Sequence, residues 1–110
     1  MPDSTQTDDL TVAQFQQFIH DRYYETDNTR GTPSTFMWLV EEIGELATAL
    51  QNHNNDNSDP APPAIKTNME EEFADVIAWL CTLANINNVD LTHALREKYL
   101  NKDGGPEGHK

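Results

Sequence analysis

Two pairs of carboxylates, Glu42 with Glu45 and Glu72 with Asp75, each stand three residues apart in segments with the apolar periodicity of helices. Residues at this spacing lie on one face of an α-helix, about one turn apart. Because like charges this close repel each other, a helix that carries them needs a cation, solvent or hydrogen bonds in compensation. Mg²⁺ and Mn²⁺ prefer oxygen ligands, so the two pairs together predict a divalent metal site.

The length of 110 residues fits one small domain. We predict a single helical domain over residues 11–102, with flexible segments at residues 1–10 and 103–110. A chain this short buries only a modest fraction of its surface, and a second copy often completes such a core. We therefore expect a homo-oligomer.

The chain is strongly acidic, with 19 Asp and Glu, 7 Lys and Arg, and a formal net charge of -12. This charge repels phosphate backbones and anionic lipids, so we expect neither nucleic acid nor a membrane as a partner. Binding a polyphosphate would require cations between the carboxylates and the substrate. The acid excess alternatively serves solubility or adaptation to salt.

The first residues lack a basic region followed by an apolar run, so we expect a cytoplasmic protein.

Apolar residues recur at helical spacing in four segments, and no strand-like alternation occurs. The sequence therefore predicts an all-α fold, an antiparallel helical hairpin or four-helix bundle in which the second and third helices are antiparallel. Capping boxes are expected at Thr11 with Gln14 and at Thr67 with Glu70, and Asp90 is expected to cap the last helix. The first three helices are predicted over residues 11–24, 34–52 and 68–86, separated by a loop at 25–33 and a proline-rich linker at 53–63.

Both acidic helices combine an apolar face with a flank that carries one tryptophan and two carboxylates. Trp38 precedes Glu42 by four residues, and Trp79 follows Asp75 by four. These tryptophans either stack on a nucleobase or pack at a helix or subunit interface, and the sequence leaves both alternatives open.

Cys81 lies among apolar residues and is expected to be a buried thiol. The predicted core residues are Leu39, Ile43, Leu46 and Leu50 on the second helix and Met69, Phe73, Val76, Ile77, Leu80 and Ala84 on the third.

Other metal sites fit the sequence poorly. No histidine follows a glutamate by three residues, as a carboxylate di-iron bundle requires. Residues 56–59 lack the central glycine and terminal glutamate of an EF-hand loop. A single cysteine excludes a cysteine-based zinc site. Glu70 and Glu71 are interpreted as solvated helix formers near a helix start.

The segments Glu-Glu-Ile-Gly-Glu-Leu at 41–46 and Glu-Glu-Phe-Ala-Asp at 71–75 resemble the EExxE and ExxD motifs of the MazG-like all-α nucleoside triphosphate pyrophosphohydrolases. The similarity spans roughly residues 36–100. It implies Mg²⁺-dependent hydrolysis of a nucleoside triphosphate to the monophosphate and pyrophosphate, as house-cleaning of the nucleotide pool. It also implies a homodimer or a dimer of dimers.

The resemblance further implies roles for single residues. Glu42, Glu45, Glu72 and Asp75 correspond to the metal ligands, with Mg²⁺ or Mn²⁺ bridging phosphate oxygens and activating a water. Glu41 is a candidate catalytic base or a residue that supports the metal ligands from behind. The family commonly has basic and amide residues after the last helix that hold phosphate, and this chain places three such residues there: Lys98, Asn101 and Lys102. Residues 103–110 depart from the family pattern, since its run of arginines is missing.

Two alternative functions remain beside this one. A related phosphoribosyl-ATP pyrophosphohydrolase would share the acidic helix pair and act on one large nucleotide. In a non-catalytic helical oligomer the acids would bind cations for stability or dock a basic partner, and a cation would then raise the melting temperature without any turnover.

Overall fold

A computed structural model describes residues 9–101 of the chain, and these residues are helical apart from short connections. No strand occurs among them, which confirms the all-α prediction. The predicted flexible segments, apart from Asp9 and Leu10, lie outside the described residues. The elements are α1 (Val12–Arg30), α2 (Thr32–Asn55), α3 (Pro63–Ile86), α4 (Leu91–Leu95) and a π-helical turn (Arg96–Leu100) that continues α4.

Helices α2 and α3 form an antiparallel hairpin, as predicted. The Asn87 side-chain amide donates to Thr32 Oγ1 at 3.1 Å, which joins the end of α3 to the start of α2. Further along the hairpin, Trp38 of α2 stacks on Trp79 of α3. Helix α1 packs against α3, and the short α4 packs against α1. One face of the hairpin is therefore covered by α1.

Two predicted helix caps are confirmed. The Gln14 backbone N–H donates to Thr11 Oγ1 at 3.0 Å, and the Thr11 N–H donates to Gln14 Oε1 at 2.9 Å. This reciprocal pair satisfies two backbone donors at the start of α1. Asp90 caps α4 by accepting from the His93 N–H at 3.1 Å. Both caps depend on residues close in sequence, which is why the pattern predicts them.

The predicted loop at residues 25–33 is wrong, because α1 continues to Arg30 and α2 begins at Thr32. The Arg30 guanidinium donates to Asp27 Oδ1 at 2.8 Å, an ion pair between residues one turn apart that holds the last turn of α1. Only Gly31 interrupts the helices, with a φ of 84° that glycine adopts without strain. Pro33 lies in the first turn of α2, where a missing N–H leaves no helical bond unmade.

The boundaries around the proline-rich linker are also corrected. Helix α2 runs on to Asn55, and α3 begins at Pro63 rather than near residue 68. Proline fits the first helical position because its fixed φ is already helical. Thr67 and Glu70 consequently lie inside α3, and the capping box predicted there is wrong.

The buried apolar core of the described chain is small and consists of Ile19, Leu39, Ala49, Cys81 and Ala84. The predictions for Leu39, Cys81 and Ala84 are confirmed. Four other predicted core residues stay 45–51 % exposed within the single chain: Ile43, Phe73, Ile77 and Leu80. We call these four side chains the uncovered apolar face.

No helix in residues 9–101 has the length and apolar character needed to cross a membrane.

Candidate metal centre

The antiparallel hairpin brings three of the four predicted metal ligands together. One carboxylate oxygen each from Glu42, Glu45 and Glu72 lies within 4.8 Å of the others. Glu42 and Glu45 share one face of α2 because they are three residues apart, and α3 presents Glu72 to that face. We call these three side chains the acidic cluster.

Two carboxyl groups of the acidic cluster have raised pKa values. The pKa of Glu42 is raised to about 7, first because burial penalises its charged form and then because Glu45 is close. The pKa of Glu72 is also raised, again by burial first and by the charge of Glu45 next. The two raised pKa values indicate that the surroundings of Glu42 and Glu72 do not compensate negative charge on their carboxylates.

Two oxygens of the cluster have no hydrogen-bond donor. Oε2 of Glu42 and Oε2 of Glu72 are both buried, and neither has a hydrogen-bond partner in the described chain. Buried polar atoms are normally paired, and an unpaired carboxylate oxygen is more costly than an unpaired neutral one. An all-oxygen donor set with two unpaired atoms fits a hard divalent cation.

Asp75 and Glu41 lie outside the acidic cluster. Asp75 is exposed, but its charge still contributes to the raised pKa of both Glu42 and Glu72, so it is near them. Glu41 is exposed and lines a cavity of about 290 Å³ with Ser34, Met37 and Trp38. The assignment of Asp75 as a ligand and of Glu41 as a base stays a prediction.

The two tryptophans of the acidic helices stack on each other. Their ring centroids are 6.1 Å apart and the ring planes differ by 8°, which is a stacked pair. The guanidinium carbon of Arg30 lies 5.1 Å from the centroid of the Trp79 ring. The two rings pack against each other at the interface of α2 and α3, which is one of the two alternatives drawn from the sequence. Contact of Trp38 or Trp79 with a nucleobase stays a prediction.

Two of the three residues predicted to hold phosphate, Lys98 and Asn101, are among the described residues. Lys98 is exposed in the π-helical turn, a segment that follows α4. The Asn101 amide donates to Glu97 Oε2 at 2.6 Å. Lys102 lies outside the described residues. Binding of phosphate by Lys98, Asn101 and Lys102 stays a prediction.

Sequence reasoning missed a polar group at the junction of α1 and α2. Asp27 is only 4 % exposed, and Thr35 is fully buried. Arg30 donates to Asp27 at 2.8 Å and to Thr35 Oγ1 at 3.2 Å, and it also contacts Trp79. The three-residue spacing of Asp27 and Arg30 was the available signal, but the turn-forming residues around them pointed to a loop.

A family model, the MazG nucleotide pyrophosphohydrolase domain, matches residues 30–102 of the 110. The chain belongs to the MazG family. The match contains every residue of the acidic cluster, Asp75, both tryptophans and the segment after α4. MazG proteins generally depend on divalent cations, which agrees with the oxygen-only cluster found here. Asp27 and most of α1 precede the matched residues. A comparison with curated proteins gives no match.

Proposed function

We propose that this MazG protein is a nucleoside triphosphate pyrophosphohydrolase that uses Mg²⁺, with Mn²⁺ as a substitute. The reaction converts an NTP or dNTP and water to the monophosphate and pyrophosphate, and it serves to clear surplus or non-canonical nucleotides. The observation that carries the proposal is the convergence of carboxylates from α2 and α3 within 4.8 Å, in a chain of this family.

In this proposal Glu42, Glu45 and Glu72 hold the cation, with Asp75 as the fourth ligand. Support comes from the unpaired, buried Oε2 atoms of Glu42 and Glu72, which need a positive partner. The raised pKa of Glu42 is a further sign of uncompensated charge. When bound, a divalent cation supplies the positive charge that neutralises these carboxylates and polarises phosphate oxygens.

Glu41 is the proposed proton acceptor. The oxygen of the attacking water forms a bond to one of the two phosphorus atoms of the α–β anhydride, the anhydride bond to that atom breaks, and the phosphate group on the other side leaves with the bonding electrons. The proton released by the water passes to the Glu41 carboxylate. Glu41 suits this role because it is exposed and adjacent in sequence to Glu42 while staying outside the acidic cluster.

The substrate is proposed to extend from the acidic cluster toward the tryptophans. Trp38 is four residues before Glu42, about one turn along α2, and it stacks on Trp79. The face of an aromatic ring accepts any nucleobase. Lys98, Asn101 and Lys102 are proposed to contact phosphate, since their charge or amide groups complement its oxygens.

A second copy of the chain is the proposed partner, in a homodimer or a dimer of dimers. The uncovered apolar face supports this, because Ile43, Phe73, Ile77 and Leu80 each remain 45–51 % exposed in one chain. Burying apolar area from both copies is the main favourable contribution to such association.

Release of pyrophosphate tests the proposal. A panel of canonical and modified NTPs and dNTPs, together with phosphoribosyl-ATP, is assayed with Mg²⁺, with Mn²⁺ and with EDTA. We expect release from at least one nucleoside triphosphate, and EDTA should abolish it. Release from phosphoribosyl-ATP alone would replace the proposed substrate class. No release by folded protein at low and high salt would contradict the proposal and favour a non-catalytic oligomer.

A further inference from the structure

We propose that Asp27 is a specificity-determining residue, and that it selects nucleobases carrying an exocyclic amino group. The inference rests on the proposed function and adds the class of base to it. Asp27 lies on α1, ahead of the residues that match the family model, so the acidic motifs do not account for it.

A cavity of about 290 Å³ lies between α1 and α3 at this residue. Its lining residues are Ile19, Tyr23, Asp27, Arg30, Ala78, Trp79 and Thr82. Most of this lining is apolar or aromatic, with Asp27 and Arg30 as the charged groups. Small-molecule sites are typically concave, mostly apolar and supplied with a few polar groups, and sites of about 300 Å³ are at the small end. The volume suits a single base rather than a whole nucleotide.

Asp27 lines this cavity, and one of its carboxylate oxygens has no hydrogen-bond partner among the described residues. The side chain is buried, with 4 % of the residue exposed, and Oδ1 accepts from Arg30 at 2.8 Å. Oδ2 is buried and has no hydrogen-bond partner among the described residues. Leaving a buried carboxylate oxygen without a donor costs free energy. A ligand whose N–H donates to Oδ2 therefore gains more binding free energy than it would from a hydrogen bond at the surface.

The chemistry of Oδ2 selects the donor. Asp27 forms an ion pair with the Arg30 guanidinium, and the oxygens of a carboxylate only accept hydrogen bonds. The amino group of cytosine or adenine donates to such an oxygen. In uracil or hypoxanthine a carbonyl oxygen takes the same position, and it would leave Oδ2 unpaired and face it with another acceptor. Sites that must hydrogen-bond one ligand discriminate strongly against the analogue without that group.

The spacing along α3 between the cavity and the acidic cluster suits the length of one nucleotide. Trp79 lines the cavity and follows Glu72 by seven residues, about 10 Å along α3. This span matches the sugar and phosphate groups between a base in the cavity and phosphate at the acidic cluster. Contacts of Trp79 with both Trp38 and Arg30 hold its ring in position.

Matched substrate pairs test the selection. CTP carries an amino group on its base where UTP carries a carbonyl oxygen, and ATP and ITP differ in the same way. We expect kcat/KM to favour the amino member of each pair by roughly tenfold or more. In Asp27→Asn the ratio should shrink toward one or invert, since the amide can present a donor. Asp21→Asn, at an exposed aspartate of the same helix, should keep the wild-type ratio.

A measurement on the unaltered protein covers the case in which Asp27→Asn fails to fold. Cytidine and uridine are titrated in turn against the fluorescence of Trp38 and Trp79, the two tryptophans of the chain, with neither metal nor turnover required. Tighter binding of cytidine is expected. Equal binding of the two nucleosides, or an unchanged kcat/KM ratio in folded Asp27→Asn, would overturn the inference and leave Asp27 a structural partner of Arg30.

The two proposals fail in different ways. Absence of nucleotide hydrolysis by the wild-type protein contradicts the proposed function, and the nucleoside titration then still decides the role of Asp27. Hydrolysis without preference for amino-bearing bases contradicts only the role of Asp27.

Discussion

Glu42 on α2 and Glu72 on α3 each hold a buried Oε2 atom that no donor in residues 9–101 contacts. The two residues contribute oxygens to the same cluster within 4.8 Å. Folding therefore brings together negative charge that the described chain does not neutralise, and burial raises the pKa of both groups. This relationship leads to testable expectations for metal binding, pH dependence and stability.

Divalent cations should stabilise the folded chain. A ligand that binds only the folded state adds about 2.7 kcal/mol at a concentration 100 times its Kd. For a domain of this size that corresponds to a rise in Tm of roughly 10 °C or more. Thermal melts with Mg²⁺, Mn²⁺ or EDTA measure it. Glu42→Gln should lose most of the rise, whereas Glu70→Gln, at an exposed residue of α3, should keep it. Equal rises in the two variants would contradict this prediction.

Without metal, the contribution of Glu42 to stability should decrease as pH rises. Its folded pKa of about 7 is above the ordinary value of 4.5 for a glutamate, so the folded state binds an extra proton between these two pH values. Stability from this group is therefore fully present below about pH 4.5 and is lost as pH increases through 7.

Urea unfolding from pH 5 to 8 in EDTA measures this dependence. Glu42→Gln should flatten the curve relative to Glu70→Gln, which shares its change in net charge. A curve for Glu42→Gln as steep as that of the control would show that Glu42 does not carry the effect.

Arg30→Ala should destabilise the chain by about 3 kcal/mol, because it leaves the buried Asp27 carboxylate without its partner. The matched control is Arg22→Ala, which removes an exposed arginine lying 4.3 Å from the Phe18 ring centroid. An exposed cation–π contact is worth only about 0.5–1 kcal/mol. Chemical unfolding measures both. Similar losses in the two variants would mean that the pair of Asp27 and Arg30 does not hold the junction of α1 and α2.

Ile77→Lys should weaken self-association by placing a charge on the uncovered apolar face. Ile77 is 51 % exposed in one chain, and an unpaired charge in an interface costs several kcal/mol. Light scattering coupled to size exclusion measures the mass. Thr67→Lys, at an exposed position of the same helix, should keep the wild-type mass. A monomeric wild-type protein would contradict the proposed oligomer.

Features set by residues close in sequence were predictable. The cap formed by Thr11 and Gln14 and the cap at Asp90 follow from side chains that reach backbone donors three residues away. The pairing of Glu42 with Glu45 follows in the same way from helical spacing. Cys81 was expected to be buried from its apolar neighbours, and it is.

Features that depend on contacts between helices could not be predicted from the sequence. Turn-forming residues near Asp27 indicated a loop, but the ion pair with Arg30 and the burial of Thr35 extend the helices to either side of Gly31. Periodicity identified Phe73 as part of an apolar face without showing what covers it. Spacing along α3 also could not show that Glu72, rather than Asp75, joins the three-carboxylate cluster, because that depends on how α3 is positioned against α2.

The most direct test of the central claim compares two glutamates of α3 that are two residues apart. Glu72 belongs to the acidic cluster, whereas Glu70 is exposed. Pyrophosphate release from the preferred nucleotide is measured with saturating Mg²⁺ in Glu72→Gln and in Glu70→Gln. We predict that Glu72→Gln lowers kcat by about 100-fold or more while Glu70→Gln retains wild-type turnover. Full turnover in folded Glu72→Gln would show that the acidic cluster is not the centre of the reaction.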